Sequence, residues 1–190
     1  MQANRQGEDS IPMPTAQSEH RTSKSSGVTQ SGRASMQPDD GVSMLMRDHR
    51  EVEDLFKAFK AAKEDSAKKQ EICGQILQEL KLHTQIEEEI FYPSSREFLK
   101  DESIVNESVV EHQSVKQLMI ELEGMDPNDP YFDARMKVMR EMVNHHVEEE
   151  ETDLFPKCRR SDMDLAAIGD RMKARKAELK GGKSDGRGRH

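Results

Sequence analysis

The middle of the chain has hydrophobic residues at every third or fourth position, which places them on one face of an α-helix rather than in a strand. Four such stripes occur, and each includes polar residues at apolar positions. In chain order they contain Leu45, His49, Val52, Phe56 and Phe59; Ile72, Ile76, Leu80, His83, Glu87 and Phe91; Val105, Val109, His112, Val115, Met119 and Leu122; and Phe132, Met136, Met139, Val143, His146, Glu150 and Leu154. The pattern predicts four amphipathic helices.

The segments between the stripes contain residues that favour turns, such as Asp65-Ser66 and residues 124–130. Proline interrupts a helix interior, so we expect the second helix to end before Pro93 and the fourth before Pro156. Helices of about 20–25 residues with short connections favour an all-α fold, an up-down-up-down antiparallel four-helix bundle.

Outside the stripes, the chain divides into three further segments. Residues 1–40 are rich in Ser, Gln, Gly and Pro and hold little that can be buried, so we expect a disordered tail. The bundle takes residues 41–157. A short fifth helix is expected within 158–179, starting at Ser161 with Asp164 three residues later, before a disordered basic tail at 180–190.

Composition supports a helical fold and makes some partners unfavourable. Only 4% of the 190 residues are aromatic, which argues against a sandwich or barrel. The net charge is −8, to which residues 1–40 contribute −1 and residues 171–190 contribute +6, which leaves −13 on residues 41–170. An acidic body repels phosphate backbones, so we expect no nucleic-acid binding through the main domain. The sequence identifies no protein partner.

The location is inferred from cysteine usage and hydropathy. Cys73 and Cys158 are too few for a disulfide framework and lack the spacing of a metal site. No segment approaches the roughly 18 consecutive apolar residues of a membrane span, and no signal peptide is visible. We therefore expect a soluble cytoplasmic protein without membrane contact.

The polar residues in the stripes repeat at an offset of 63 positions, which indicates two related helical hairpins. The repeated pairs are His49 and His112, His83 and His146, Glu87 and Glu150, and Pro93 and Pro156. Two hairpins related by a pseudo-twofold axis would bring these residues together in the bundle interior.

The repeated residues are suited to binding metal ions. His83 and Glu87, like His146 and Glu150, are four residues apart and project from one helix face. Each half thus offers two imidazoles and one carboxylate, the set typical of non-haem iron sites. A single inward His is usually a core residue, but unpaired buried carboxylates are costly without a cation. We expect a dinuclear site with iron as first choice, and manganese is not distinguished from it.

The residues beside this set are predicted to lie outside it. His145 is one position off the stripe, and its repeat equivalent is Leu82. We interpret it as a flanking residue. The nearby acids are interpreted as solvated groups or as partners for the outer nitrogen of a ligand His, and they are Glu88, Glu89, Glu148, Glu149 and Glu151.

Four segments resemble the signature helices of the hemerythrin-like, or HHE cation-binding, domain: DHREVEDLF, LHTQIEEEIFYP, EHQSVKQLM and HHVEEEETDLFP. The resemblance covers about residues 42–157. It implies a bundle that encloses two non-haem iron ions with an oxo or hydroxo bridge and meets O2, peroxide or NO. The ligands carried over are His49, His83, Glu87, His112, His146 and Glu150.

The sequence departs from the oxygen-carrying hemerythrins at two places. Those proteins have two His one turn apart on the third helix, whereas Ser108 and Lys116 stand one turn from His112. They also have a bridging Asp where this chain has Glu151, while the repeat favours Glu150. The choice between the two glutamates stays open at this point.

Three functions fit these observations. The missing imidazole favours an oxidoreductase or sensor that reacts with peroxide, O2 or NO. Reversible oxygen binding and storage is the second, and a non-catalytic iron-sensing interaction module is the third. A ferritin-like oxidase is disfavoured because its Glu-x-x-His spacing differs from the His-x-x-x-Glu of this chain.

Overall fold

The computed structural model of the chain describes residues 40–181, and all secondary structure within this range is helical. The α-helices are α1 (Gly41–Ala61), α2 (Ser66–Ile86), α3 (Tyr92–Phe98), α4 (Ser103–Leu122), α5 (Phe132–Glu149), α6 (Phe155–Arg160) and α7 (Leu165–Gly181). Two π-helical turns, Glu87–Phe91 and Glu150–Leu154, join α2 to α3 and α5 to α6. The prediction of an all-α bundle is confirmed.

The first two helices begin at aspartate caps. The Asp40 carboxylate accepts a hydrogen bond from the Ser43 backbone N–H at 2.8 Å, and Asp65 accepts one from Lys68 at 2.9 Å. Each cap satisfies one of the amide groups that a helix start leaves without a partner. The prediction that residues 1–40 form a disordered tail is therefore wrong for Asp40, which caps α1. Residues 1–39 lie outside the described residues.

The prediction that two helices end before Pro93 and Pro156 is wrong, because the π-helical turns carry both helices through the prolines. The Tyr92 N–H bonds to the Glu87 carbonyl and the Phe155 N–H to the Glu150 carbonyl, each five residues back. Both prolines then lie in the first turn of a new α-helical segment, where a missing N–H costs little. The continuous helical rods that span α2 to α3 and α5 to α6, which are the second and fourth of the bundle, are thus longer than predicted.

The buried side chains form two apolar layers along the bundle. One layer includes Leu45, Ile86, Phe91 and Phe155, and the other includes Val52, Phe56, Ile76, Val115 and Met139. On each rod the inward His lies between these two layers in sequence. The polar positions of the stripes are therefore enclosed by apolar packing above and below.

The fifth helix lies against the bundle, and its bounds differ from the prediction. It begins at Leu165 instead of Ser161, since Asp164 accepts a hydrogen bond from the Ala167 N–H at 3.0 Å. Ile168 and Met172 are buried against the first apolar layer. The helix extends to Gly181, so the predicted disorder is wrong at residues 180–181, and residues 182–190 lie outside the described range.

Within residues 40–181, no helix combines the length and the apolar character needed to cross a membrane.

Candidate metal centre

The four inward histidines form two close pairs, one from each half of the repeat. The Nε2 atoms of His49 and His83 are 3.2 Å apart, and those of His112 and His146 are 3.1 Å apart. All four residues are buried. Each half therefore directs two imidazole nitrogens to one point in the bundle interior.

The two repeated glutamates each lie between the histidine pairs. Glu87 Oε2 is 3.2 Å from His83 Nε2 and 3.5 Å from His112 Nε2. Glu150 Oε2 is 3.3 Å from His49 Nε2 and 3.6 Å from His146 Nε2. Each carboxylate thus approaches one histidine of its own half and one of the other half. All six predicted site residues meet in one cluster.

The six side chains form two overlapping groups that can hold metal ions. One group consists of His49, His83, Glu87 and Glu150, and the other of Glu87, His112 and His146. Their potential ligand atoms lie within 4.8 Å of one another in each group. Glu87 belongs to both groups and can therefore serve two ions at once.

The buried charges of this cluster lack hydrogen-bond partners, which fits a cation. Glu87 and Glu150 have 0% exposure, yet both Glu87 oxygens and Glu150 Oε2 make no hydrogen bond among the described residues. Burial and the charge of Glu150 raise the pKa of Glu87 well above its ordinary value, which means that its charged form is unfavourable here unless a cation is bound. Burial also lowers the pKa of His83 to about 4, which keeps this imidazole neutral. Neutral imidazole and carboxylate are the forms that bind metal.

Carboxylates on the outside of the cluster orient two of the imidazoles in the same way. Glu151 accepts a hydrogen bond from Nδ1 of His49 at 2.8 Å. The repeat-related pair is His112 and Glu88, at 2.9 Å. Such bonds fix the tautomer and turn Nε2 toward the interior. Two of the acids named from the sequence, Glu88 and Glu151, thus have this role, whereas Glu150 points inward.

The other two histidines face acids that the sequence analysis did not single out. His146 Nδ1 donates to Glu111 at 2.8 Å, and His83 Nδ1 lies 3.7 Å from Asp48. Asp48 and Glu111 are themselves 63 residues apart and directly precede His49 and His112. Their repetition was a usable signal in the sequence.

Basic side chains neutralise three of these outer carboxylates. Lys116 bonds Glu88 at 2.6 Å, Lys176 of α7 bonds Asp48 at 2.8 Å, and Arg50 bonds Glu151. The His112 hydrogen bond and the Lys116 ammonium lower the pKa of Glu88 to about 2 although burial opposes this. Glu88 therefore stays ionised and continues to accept the hydrogen bond from His112.

His145 lies outside the six-residue cluster. Its side chain is 63% exposed, and its Nε2 is 3.5 Å from Glu111 and 3.4 Å from Glu149. These three residues could also hold an ion, but His145 is exposed and the two glutamates are only partly buried. Its position on the flank of α5 agrees with its place off the apolar stripe.

Tyr92 is a site residue that the sequence analysis missed. It is buried, its hydroxyl donates to Glu150 Oε1 at 2.9 Å, and it lies 3.3 Å from His112 Nε2. The repeat equivalent, Phe155, stacks on the His49 ring with 5.7 Å between centroids. Each aromatic residue follows a π-helical turn and precedes a proline, and that shared context was the available signal.

A cavity of about 20 Å³ borders the four histidines on the side facing the second apolar layer. Its apolar wall includes Val52, Leu80, Val115, Val143 and Val147. A space of this size holds one water-sized molecule. The cluster therefore has room beside it for one small molecule.

A protein-family comparison agrees with the site. The family described as the hemerythrin HHE cation binding domain matches residues 40–158. The chain belongs to this family. HHE domains bind metal cations, and the His and Glu groups of this HHE domain are of the kind that can do so.

Individual relatives of this HHE domain agree with the assignment to the family. A DNA nickase of Nostoc sp. is 34% identical over 135 residues, which is 70% of this chain, but the chain spans only 37% of that protein. An uncharacterised Mycobacterium tuberculosis protein is 26% identical over 141 residues, covering 73% of this chain and 86% of its own.

A solved structure shares the fold of this HHE domain. It is the crystal structure of a hemerythrin HHE cation binding domain-containing protein from Mycobacterium kansasii, with a TM-score of 0.65 and 21% identity. The similarity covers 78% of this chain and 94% of that one. At this level of identity it supports the fold alone.

Proposed function

We propose that this HHE domain holds two non-haem iron ions and reacts with, or senses, peroxide, O2 or NO. The observation that supports this most is the pair of fully buried carboxylates, each lying between two imidazoles of different halves. The proposed ligands are His49, His83, Glu87, His112, His146 and Glu150. Mixed imidazole and carboxylate donors suit iron or manganese better than a structural zinc site.

The small cavity beside the histidines limits the substrates. Its volume of about 20 Å³ admits a diatomic molecule or peroxide and excludes larger organic substrates. Its valine and leucine walls keep bulk water away from the imidazoles. Iron bound by the histidines and glutamates beside this cavity would supply redox chemistry. Each half of the site has three protein donors, which leaves positions open for a small ligand.

Tyr92 is the chain's own hydrogen-bond donor at the centre. Its hydroxyl holds Glu150 Oε1, so Oε2 is the oxygen left to face the histidines. Burial and the charge of Glu150 raise the pKa of Tyr92 well above its ordinary value, so the phenol keeps its proton. We propose that Tyr92 orients Glu150 and provides a proton donor on the second half of the site only, because Phe155 has no hydroxyl.

The surroundings proposed for this protein follow from charge and cysteine state. The −13 charge of residues 41–170 makes nucleic acid an unfavourable partner for the main domain, and the nickase name belongs to a relative most of which lies outside the match. Cys73 and Cys158 are both free thiols, which fits a reducing cytoplasm.

Metal analysis combined with an absorption spectrum tests the proposal. The purified chain should bind two iron ions, and its visible spectrum should change on addition of peroxide, O2 or NO. His83→Ala and Glu150→Ala should abolish stoichiometric binding. His145→Ala is the matched control, since it removes an imidazole that lies outside the cluster, and it should bind as the unmodified chain does.

Three results would contradict the proposal. Iron binding without any spectral change or consumption of peroxide, O2 or NO would exclude the redox function, and metal-dependent melting alone would then favour an interaction module. A stable, fully reversible spectrum with O2 would identify oxygen storage instead. Equal loss of iron in His145→Ala would show that the ligand set is wrong.

A further inference from the structure

An open groove lies between the second half of α1 and the first half of α5, at the end of the bundle beyond the second apolar layer. Its volume is about 490 Å³. Buried apolar side chains form its floor: Phe56, Phe59 and Met136. Phe56 is seven residues from His49, or about 10 Å along the helix axis, so the groove is separate from the metal centre.

The rim of the groove is basic. Five of its side chains are cationic, and only Glu64 and Asp133 are acidic. Residues 41–170 carry a net charge of −13 as a whole, so the positive charge of this rim is opposite in sign to the net charge of that segment. The cationic residues are Lys60, Lys63, Lys69, Lys137 and Arg140.

Part of this positive charge has no partner within residues 40–181. Lys69 is paired with Asp133 at 2.7 Å. Among the described residues, no side-chain hydrogen bond or ion pair involves Lys60, Lys63 or Arg140. The Arg140 Nε is buried and makes no hydrogen bond there. A buried donor without a partner is unfavourable, and an anion bound beside Arg140 would give this guanidinium an acceptor.

We propose that this groove binds a small amphipathic carboxylate with an aromatic or medium-chain aliphatic body. The apolar floor contacts the body of the ligand. The carboxylate accepts hydrogen bonds from the Lys60 ammonium and the Arg140 guanidinium, whose planar N–H groups match a carboxylate in geometry. The volume lies within the range of about 300–1,000 Å³ found for small-molecule sites. This site is distinct from the metal centre, so binding should not depend on loaded iron.

Calorimetric titration of the full chain with octanoate tests this proposal, with octanol as the uncharged molecule of the same length. Octanoate should bind at least tenfold more tightly than octanol, with the iron site loaded or stripped. Lys60→Gln/Arg140→Gln should weaken octanoate binding at least tenfold. The matched control is Lys100→Gln/Arg160→Gln, which removes two exposed charges outside the groove and should leave the affinity unchanged.

Charge reversal provides a second variant whose outcome does not depend on loss of binding alone. Lys60→Glu/Arg140→Glu should reject octanoate and bind octyltrimethylammonium, which the unmodified chain should not. Equal octanoate affinity in the Lys60→Gln/Arg140→Gln and control variants would overturn the proposal. So would equal affinity for octanol and octanoate, or displacement of octanoate by a short single-stranded oligonucleotide at lower concentration.

Discussion

At the scale of single residues, two adjacent glutamates take different positions. Glu150 is fully buried between His49 and His146, while the side chain of Glu151 is 17% exposed and accepts from the outer nitrogen of His49. Both are in the same π-helical turn, so the direction of each Cα–Cβ bond decides which carboxylate enters the bundle. The alternative that the sequence left open is thus answered geometrically in favour of Glu150 as the inward residue.

We expect the two glutamates to respond differently to the same isosteric change. Under the proposed function, Glu150→Gln should abolish binding of the iron ion held by the group that includes His49 and His83, because it removes an inward anionic oxygen. Glu151→Gln should keep two ions per chain but weaken their affinity about 10- to 100-fold, the usual effect of losing an orienting carboxylate. Anaerobic titration with ferrous iron measures both. The opposite order of effects would assign Glu151 as the ligand.

At the scale of elements, the π-helical turns and the docking of α7 build the site. Both turns begin at an inward glutamate and are related by the 63-residue repeat. π-helical turns often accompany functional sites because the extra residue redirects the side chains after it. Here the turns bring the Tyr92 hydroxyl into hydrogen-bond contact with Glu150 and the Phe155 ring into stacking contact with His49. An uninterrupted α-helix would place both aromatic side chains differently.

The contact between α7 and α1 depends on glycine. A Cβ added at Gly169 would lie 2.8 Å from the Gly41 backbone nitrogen and 2.9 Å from the Asp40 carbonyl carbon. We expect Gly169→Ala to lower the free energy of unfolding by about 1–3 kcal/mol, since backbone atoms cannot move aside easily. Chemical denaturation measures this change.

Gly74→Ala is the matched control for this prediction. Gly74 is inside α2, and nothing lies within 4 Å of an added Cβ. Alanine should therefore raise the free energy of unfolding by about 0.5–1 kcal/mol through helix propensity. If both alanine variants were stabilising, the close approach of α7 to α1 would be disproved.

The Asp40 cap connects the start of α1 to α6. Its carboxylate accepts from Ser43 and from the Arg159 guanidinium at 2.9 Å. Burial tends to raise the pKa of Asp40, but the Ser43 N–H and Arg159 bonds outweigh it and hold the pKa below its ordinary value of 3.8. The charged form therefore stabilises the fold above about pH 4, and this contribution is lost as the pH falls through the lower pKa of the folded state.

We expect Asp40→Asn to separate the charge from the cap, because asparagine caps helices about as well. The variant should be less stable than the unmodified chain at pH 7, and the difference should shrink as the pH falls below 4. Asp40→Ala should lose about 1 kcal/mol more at pH 7. Urea denaturation at both pH values measures these differences. A difference that grew toward low pH would contradict the pKa direction.

At the scale of the whole molecule, the two halves are similar in their ligands and differ around them. His49, His83 and Glu87 correspond to His112, His146 and Glu150. Tyr92 corresponds to Phe155, and α7 supplies Lys176 to Asp48 in the first half, while the equivalent Glu111 contacts His145. The two groups that could hold metal therefore have different surroundings, and under the proposed function we expect one of them to react more readily than the other.

Metal removal should lower the stability of the whole bundle. Without a cation, two buried carboxylates and four imidazoles remain packed together with unsatisfied oxygens. Free metal at 1,000 times the dissociation constant should stabilise the fold by about 4 kcal/mol. Thermal melting with and without chelator measures the shift. His83→Ala should show no metal-dependent shift, and an equal shift in that variant would place the bound metal elsewhere.

The sequence could predict the helices and the six inward residues because both follow from periodicity. Apolar spacing of three to four fixes a helix face, and the 63-residue offset repeats the same side chains on the second hairpin. It could not predict the continuation through Pro93 and Pro156, because proline disfavours α-helix and no local signal announces a π-helical turn. The start of α7 was also misplaced, since Ser161 and Asp164 both favour a helix start and only packing selects between them.

By itself, then, the sequence determined the helical periodicity, the duplication and the chemical types of the donors, since these depend on the order of residues in one chain. The tertiary structure decided which nitrogen and oxygen atoms meet, that Glu150 faces inward and that Tyr92 reaches Glu150. It also placed cations that have no partner within residues 40–181, such as Lys60 and Arg140, at the edge of an apolar groove. These depend on distances between segments far apart in sequence, and such distances are set only when the helices pack.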